Sequence, residues 1–128
     1  MSLGEISGDL GSDQLTSMGV GSAWLRVRVR EDSDSAIALS LTAKLTSPAA
    51  VDFDVILYLN KDSDEVECST TVGTTNTNGT VSSVRTVWGD GIIANGSPDD
   101  RYVTIEVRHV SGTCAAAQMW QLEITGNT

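Results

Sequence analysis

Val51-Asp52-Phe53-Asp54-Val55-Ile56-Leu57-Tyr58-Leu59-Asn60 constrains the fold of this chain more than any other stretch. Val51, Phe53, Val55, Leu57 and Leu59 alternate with Asp52, Asp54, Ile56 and Tyr58. A period of two is that of a strand, because successive side chains leave a pleated backbone on opposite faces. One face of this strand is predicted to be buried and the other at least partly polar.

The same period recurs on both sides. Ala23, Leu25, Val27 and Val29 share one face, and Trp24, Arg26, Arg28 and Arg30 the other. Ile37, Leu39, Leu41, Ala43 and Leu45 follow; Leu and Ala also favour helices, but the period of two decides for a strand. Further strands are predicted around Cys68 (66–72), over 80–88, over 101–110 with Val103, Ile105 and Val107 inward, and over 117–125 with Trp120, Leu122 and Ile124 inward. For 80–88 the inward set is either Val81, Arg85 and Val87 or Val84 and Trp88. Polar turns separate these runs, as at Glu31-Asp32-Ser33-Asp34-Ser35 and Ser111-Gly112-Thr113. Residues 4–21 hold five glycines and read as a lead-in with one short strand lying across the body, and Met1-Ser2-Leu3 reads as a cloning start. No stretch keeps a helical period over three turns, and parallel βαβ units need crossover helices. The expectation is an all-β, single-domain antiparallel β-sandwich of seven to eight strands spanning residues 1–128.

Length and charge bound the function. A chain of 128 residues can hide roughly two-thirds of its unfolded surface, enough for one core. Seventeen acids against eight bases give a net charge of −9, which repels a phosphate backbone and makes nucleic acid an unsuitable partner. Mean hydropathy is −0.04, and no apolar run approaches the roughly 20 residues of a membrane span. The start lacks the basic and apolar regions of a signal peptide. Cys68 and Cys114 lie too far apart for a CxxC metal or redox pair. The alternatives are two buried thiols or a disulfide worth roughly 4 kcal/mol of loop-closure entropy; the Ser/Thr/Gly/Asp-rich loops and only two lysines favour the disulfide.

Three segments together resemble the bacterial pre-peptidase C-terminal domain. They are Ile6-Ser7-Gly8-Asp9-Leu10, the Val51–Leu59 strand with its D-x-D-L-Y-L-like pattern, and the pair formed by Arg101–Val107 and Trp120-Gln121-Leu122-Glu123-Ile124. The resemblance implies a jelly-roll-like sandwich and a non-catalytic, secreted or extracytoplasmic module beside a protease. It also implies a role in secretion or substrate attachment, with calcium used in related modules.

Several groups of residues are candidates for chemistry. Asp52 and Asp54 leave the same face of one strand about 6.5–7 Å apart. They suit cross-strand pairing with arginines such as Arg26 or Arg28, which is favoured, or the edge of a calcium site; use as an acid–base pair would need a desolvated cleft of which the sequence gives no sign. Asn60, Asp62, Asp64 and Glu65 begin like a calcium loop but lack the EF-hand Gly and Glu at its sixth and twelfth positions. Trp24, with Arg26 and Arg28, is a candidate ligand surface for a sugar ring or an extended peptide, but the favoured reading is that the N-terminal segment covers Trp24 and the arginines balance the acidic surface. His109 stands alone and reads as structural. No GxSxG elbow is present, and Gly19-Val20-Gly21 opens no phosphate loop. Asn78-Gly79-Thr80 and Asn95-Gly96-Ser97 match glycosylation triplets, the second weakened by the proline that follows.

The expected function is therefore that of a non-enzymatic accessory domain. No cofactor is expected, with calcium at Asp52 and Asp54 the one exception. Its partners would be the catalytic domain of its parent chain and a polysaccharide or extended polypeptide, with neither nucleic acid nor membrane insertion, and the domain itself a monomer. The alternative is a carbohydrate-binding module built on Trp24.

Overall fold

The computed structural model describes residues 1–32, 38–60, 71–74, 81–89, 100–113, 115 and 117–128. The described strands are β1 (Ser2–Ser7), β2 (Gln14–Gly19), β3 (Ala23–Arg30), β4 (Leu39–Thr46), β5 (Asp52–Leu59), β6 (Thr71–Thr74), β7 (Val81–Trp88), β8 (Arg101–Ser111) and β9 (Trp120–Gly126). They form two sheets, β1-β3-β8-β5-β6 and β2-β9-β4-β7. Among consecutive strands in this series, only β5 and β6 stay in one sheet; every other step changes sheet. The all-β sandwich expected from the alternation is the fold observed.

The inward residues of the two sheets meet in one core. Leu25, Val27 and Val29, Phe53, Val55 and Leu57, and Val103, Ile105 and Val107 come from the first sheet. Leu39, Leu41, Ala43 and Leu45, with Trp120, Leu122 and Ile124, come from the second. Each large apolar side chain so placed stabilises the fold by about 1.5–3 kcal/mol relative to exposure. Trp120 also satisfies its one polar atom, since its indole N–H donates to the Gly21 carbonyl at 2.8 Å. In β7 the inward set is Val84 and Trp88, with Val81 and Val87 exposed.

The N-terminal segment departs from expectation. It holds two strands in different sheets, which raises the described number to nine. β1 runs parallel to β3, while the remaining ladders are antiparallel. Parallel neighbours need a crossover, and here β2, in the opposite sheet, provides it without a helix.

The crossing after β1 explains Ile6-Ser7-Gly8-Asp9-Leu10. Gly8 N–H donates to Arg30 O of β3 at 2.9 Å, and Gly8 O accepts from Ser40 N–H of β4 at 2.8 Å, so one residue ties both sheets together. A Cβ at Gly8 would meet Val29 Cγ1 at 2.6 Å and Leu39 Cβ at 2.9 Å. The buried Asp9 carboxylate accepts from Ser7 Oγ at 3.3 Å and Asp32 N–H at 2.9 Å. Gly126 of β9 passes so near the Ser7 carbonyl that a side chain there would collide with it.

Cys68 and Cys114, the acidic stretch Asp62, Asp64 and Glu65, Ile37 and the two glycosylation triplets all lie outside the described residues.

Candidate functional site

Because Leu25, Val27 and Val29 turn inward, Trp24, Arg26, Arg28 and Arg30 stand on the outer face of the five-stranded sheet. β8 lies between β3 and β5 and sets their mutual register. Trp24 is level with Glu106 and Ile56, and Arg26 with Thr104 and Tyr58, while Arg28 is level with Tyr102 and Asp54 with Arg108. The rings of Trp24 and Tyr58 reach toward each other across β8, with centroids 5.6 Å apart and planes tilted by 33°. Beneath them Thr104 and Glu106 are buried, the latter 7% exposed.

A buried carboxylate requires compensation. Glu106 accepts the Tyr58 hydroxyl at 2.8 Å and a two-pronged contact from Arg108, Nε to Oε2 at 2.8 Å and Nη2 to Oε1 at 2.9 Å. The Arg108 hydrogen bond, helped by that of Tyr58, holds the Glu106 carboxyl below its ordinary value despite burial. The same bond raises the Arg108 guanidinium. Tyr58 is thus fixed at its hydroxyl end, and Trp24 rests against a ring that cannot swing freely. Trp24 itself remains 48% exposed. The N-terminal segment does not cover it. β1 pairs alongside β3, with Met1 O accepting from Arg26 N–H at 3.0 Å.

Asp52 and Asp54 occupy the same outer face at the start of β5, as the alternation predicts, but their favoured arginine partners do not come to them. Arg28 instead reaches Glu5 at 3.5 Å and Asp100 at 3.1 Å, and the Arg26 guanidinium lies 5.6 Å from the Tyr102 ring centroid. The reason is strand order: β8 separates β3 from β5, and its Arg108 is the arginine opposite Asp54. Asp54 lies above its ordinary value, first through burial, then through Asp52, with Arg108 pulling the other way. One Asp52 oxygen, Oδ1, is buried without a hydrogen bond. Among the described residues no group of three or more His, Cys, Asp or Glu side chains gathers in a metal-binding arrangement. His109 packs edge-on against Phe53, with centroids 5.6 Å apart, and its Nε2 lies 2.7 Å from the Gly112 carbonyl.

Tyr58, Glu106 and Arg108 were missing from the sequence-based candidates. Their parity was legible: Tyr58 shares a face with Asp52 and Asp54, and Glu106 lies out of phase with Val103, Ile105 and Val107. Nothing in the sequence places β8 between β3 and β5, so their convergence on Trp24 could not be read.

No family model matches the sequence, and no curated protein matches it. Among solved structures, a periplasmic inhibitor of g-type lysozyme from Aeromonas hydrophila aligns over 98% of each chain at 9% identity, with a TM-score of 0.42 that carries no claim of a shared fold. The pre-peptidase C-terminal domain of a collagenase from Bacillus anthracis aligns over 97% of this chain and 94% of its own, with a TM-score of 0.53 at 9% identity. The likeness at that identity is one of fold: the chain has a fold similar to that of a pre-peptidase C-terminal domain.

Proposed function

We propose that this chain is a non-catalytic accessory domain of an extracytoplasmic, protease-associated protein. In this reading it attaches its parent to a polymeric substrate or surface through the outer face of the five-stranded sheet. The observation that supports this is the half-exposed Trp24 ring resting on Tyr58, whose hydroxyl is held by the Glu106–Arg108 pair. A flat ring fixed before binding loses little freedom when a ligand stacks on it, and such stacking contributes about 0.5–2 kcal/mol. The fold likeness to a pre-peptidase C-terminal domain agrees with an accessory role.

The exposed indole also favours the carbohydrate-binding alternative, and one experiment separates the two ligand classes. Wild type and Trp24→Ala are sedimented with insoluble polysaccharides and, separately, with fibrous polypeptide. Retention on one class of polymer, weakened about 3- to 30-fold by the substitution, is the expected result. Equal retention of both proteins on every polymer would remove Trp24 from the function.

A further inference from the structure

The edges of a sheet carry backbone N–H and C=O groups that can pair with another chain, and folded proteins usually blunt them with charge, proline, bulges or cover. β1, at one edge of the five-stranded sheet, is blunted. Its register with β3 breaks between Ser2 and Glu5, Gly4 sits at φ +114°, and Glu5 contacts Arg28 and Arg30 at 3.5 and 3.6 Å. β7, at an edge of the four-stranded sheet, carries Arg85, whose Nε donates to the Thr128 carbonyl.

β2, at the other edge of the four-stranded sheet, has none of these devices among the described residues. Gln14-Leu15-Thr16-Ser17-Met18-Gly19 contains no charge and no proline, and it runs against β9 through six pairs without a register break. Its backbone groups on the side away from β9 have no partner among the described residues. Thr16 and Met18 point to the outer face, and Met18 is 54% exposed, with Val20 and Met119 exposed beside the Gly19–Trp120 end of the ladder. Next to β2 on that face is a groove of about 400 Å³, lined among others by Thr16, Met18, Lys44, Thr46, Gln121 and Glu123. A strand laid along β2 would have alternate side chains on this face.

We propose that the free edge of β2 takes up an extended, basic segment of another polypeptide as an added strand. Backbone pairing along β2 supplies the affinity. Charge selects the occupant. Lys44 and Glu123 face each other in the β4–β9 ladder, so the groove itself is close to neutral. The whole chain carries −9, which draws in a basic segment and repels a second copy of itself. This surface is on the sheet opposite Trp24 and is independent of the attachment role proposed above.

The test uses the whole chain and a dye-labelled peptide of about ten residues alternating Thr and Lys. Its acidic twin, with Glu for Lys, and two versions N-methylated at either the odd or the even residues complete the set. In an added strand only alternate amides face the partner. Saturable binding of the basic peptide is expected, with the acidic twin weaker. One N-methylated version should lose about tenfold or more in affinity while the other keeps it. Amide exchange at residues 14–19 should slow on binding, and Trp24→Ala should bind the peptide like wild type. The proposal is overturned by equal binding of both N-methylated peptides, by no saturation up to about 1 mM, or by sedimentation of the protein alone as a dimer with residues 14–19 protected.

Discussion

On the outer face of the five-stranded sheet, Trp24 and Tyr58 meet above a buried Glu106, and the arginines of β3 are engaged by acids or by the Tyr102 ring. On the outer face of the four-stranded sheet, Thr16, Met18, Thr46 and Gln121 stand around an open groove, and Lys44 and Glu123 are the charges among its lining. Both faces arise from the same alternation of inward and outward residues. They differ in reach. Trp24 and Tyr58, on the strands flanking β8, are long enough to meet over the strand between them, which desolvates Glu106 and calls for a charged partner. Across β9, Thr16 stands opposite Lys44 and Met18 opposite Thr46, and a threonine in each pair is too short to close over the strand between them, so that face stays open.

The comparison can be broken first at what the two faces share. Trp120 fills the core between them, and Trp120→Ala should lower stability by about 3–5 kcal/mol in a denaturant titration. If the faces are built separately on that core, the polymer binding proposed for Trp24 should survive at temperatures where the variant stays folded. A loss below about 1 kcal/mol would show that the indole is not central to the core.

The next largest effect should separate the faces. Glu106→Gln leaves Arg108 without its carboxylate and should cost about 1–3 kcal/mol near neutral pH. Glu123→Gln, on the open face, should stay within about 0.5 kcal/mol. The Glu106 carboxyl lies below its ordinary value of 4.5 in the folded chain. Its contribution is therefore complete above 4.5 and fades as pH falls through the lowered folded value. Denaturation midpoints of wild type and Glu106→Gln should converge on acidification; a gap that stays constant into strong acid would refute the role given to the ion pair.

The smallest effect belongs to Asp54. Burial and Asp52 raise its folded value above 3.8, more than Arg108 lowers it. The charged form thus costs stability above the raised folded value, and the cost vanishes as pH falls below 3.8. Asp54→Asn should be slightly more stable than wild type near neutral pH and equal to it in acid. A clear loss near neutral pH would mean that the Asp54–Arg108 attraction outweighs both opposing causes.

Period and composition by themselves determined much of this protein. Val51–Leu59, Ala23–Arg30 and Trp120–Ile124 announce strands and their inward faces because a side chain's face depends only on its parity along the strand, a local property of the backbone. The same parity put Trp24 outward with Arg26 and Arg28, and Asp52 with Asp54. It did not resolve the N-terminal segment, where β1 and β2 are short, rich in glycine and poor in apolar contrast, and where pairing rather than pattern makes them strands. Nor did it give strand order. That β8 separates β3 from β5 follows from how the whole chain wraps between two sheets, and it alone decided that Arg108, rather than Arg26 or Arg28, faces Asp54. Only the same wrapping brings Tyr58 and Glu106 to Trp24 and puts β2 at the edge of its sheet, because contacts between strands distant in sequence are fixed by packing of the common core and not by any local preference.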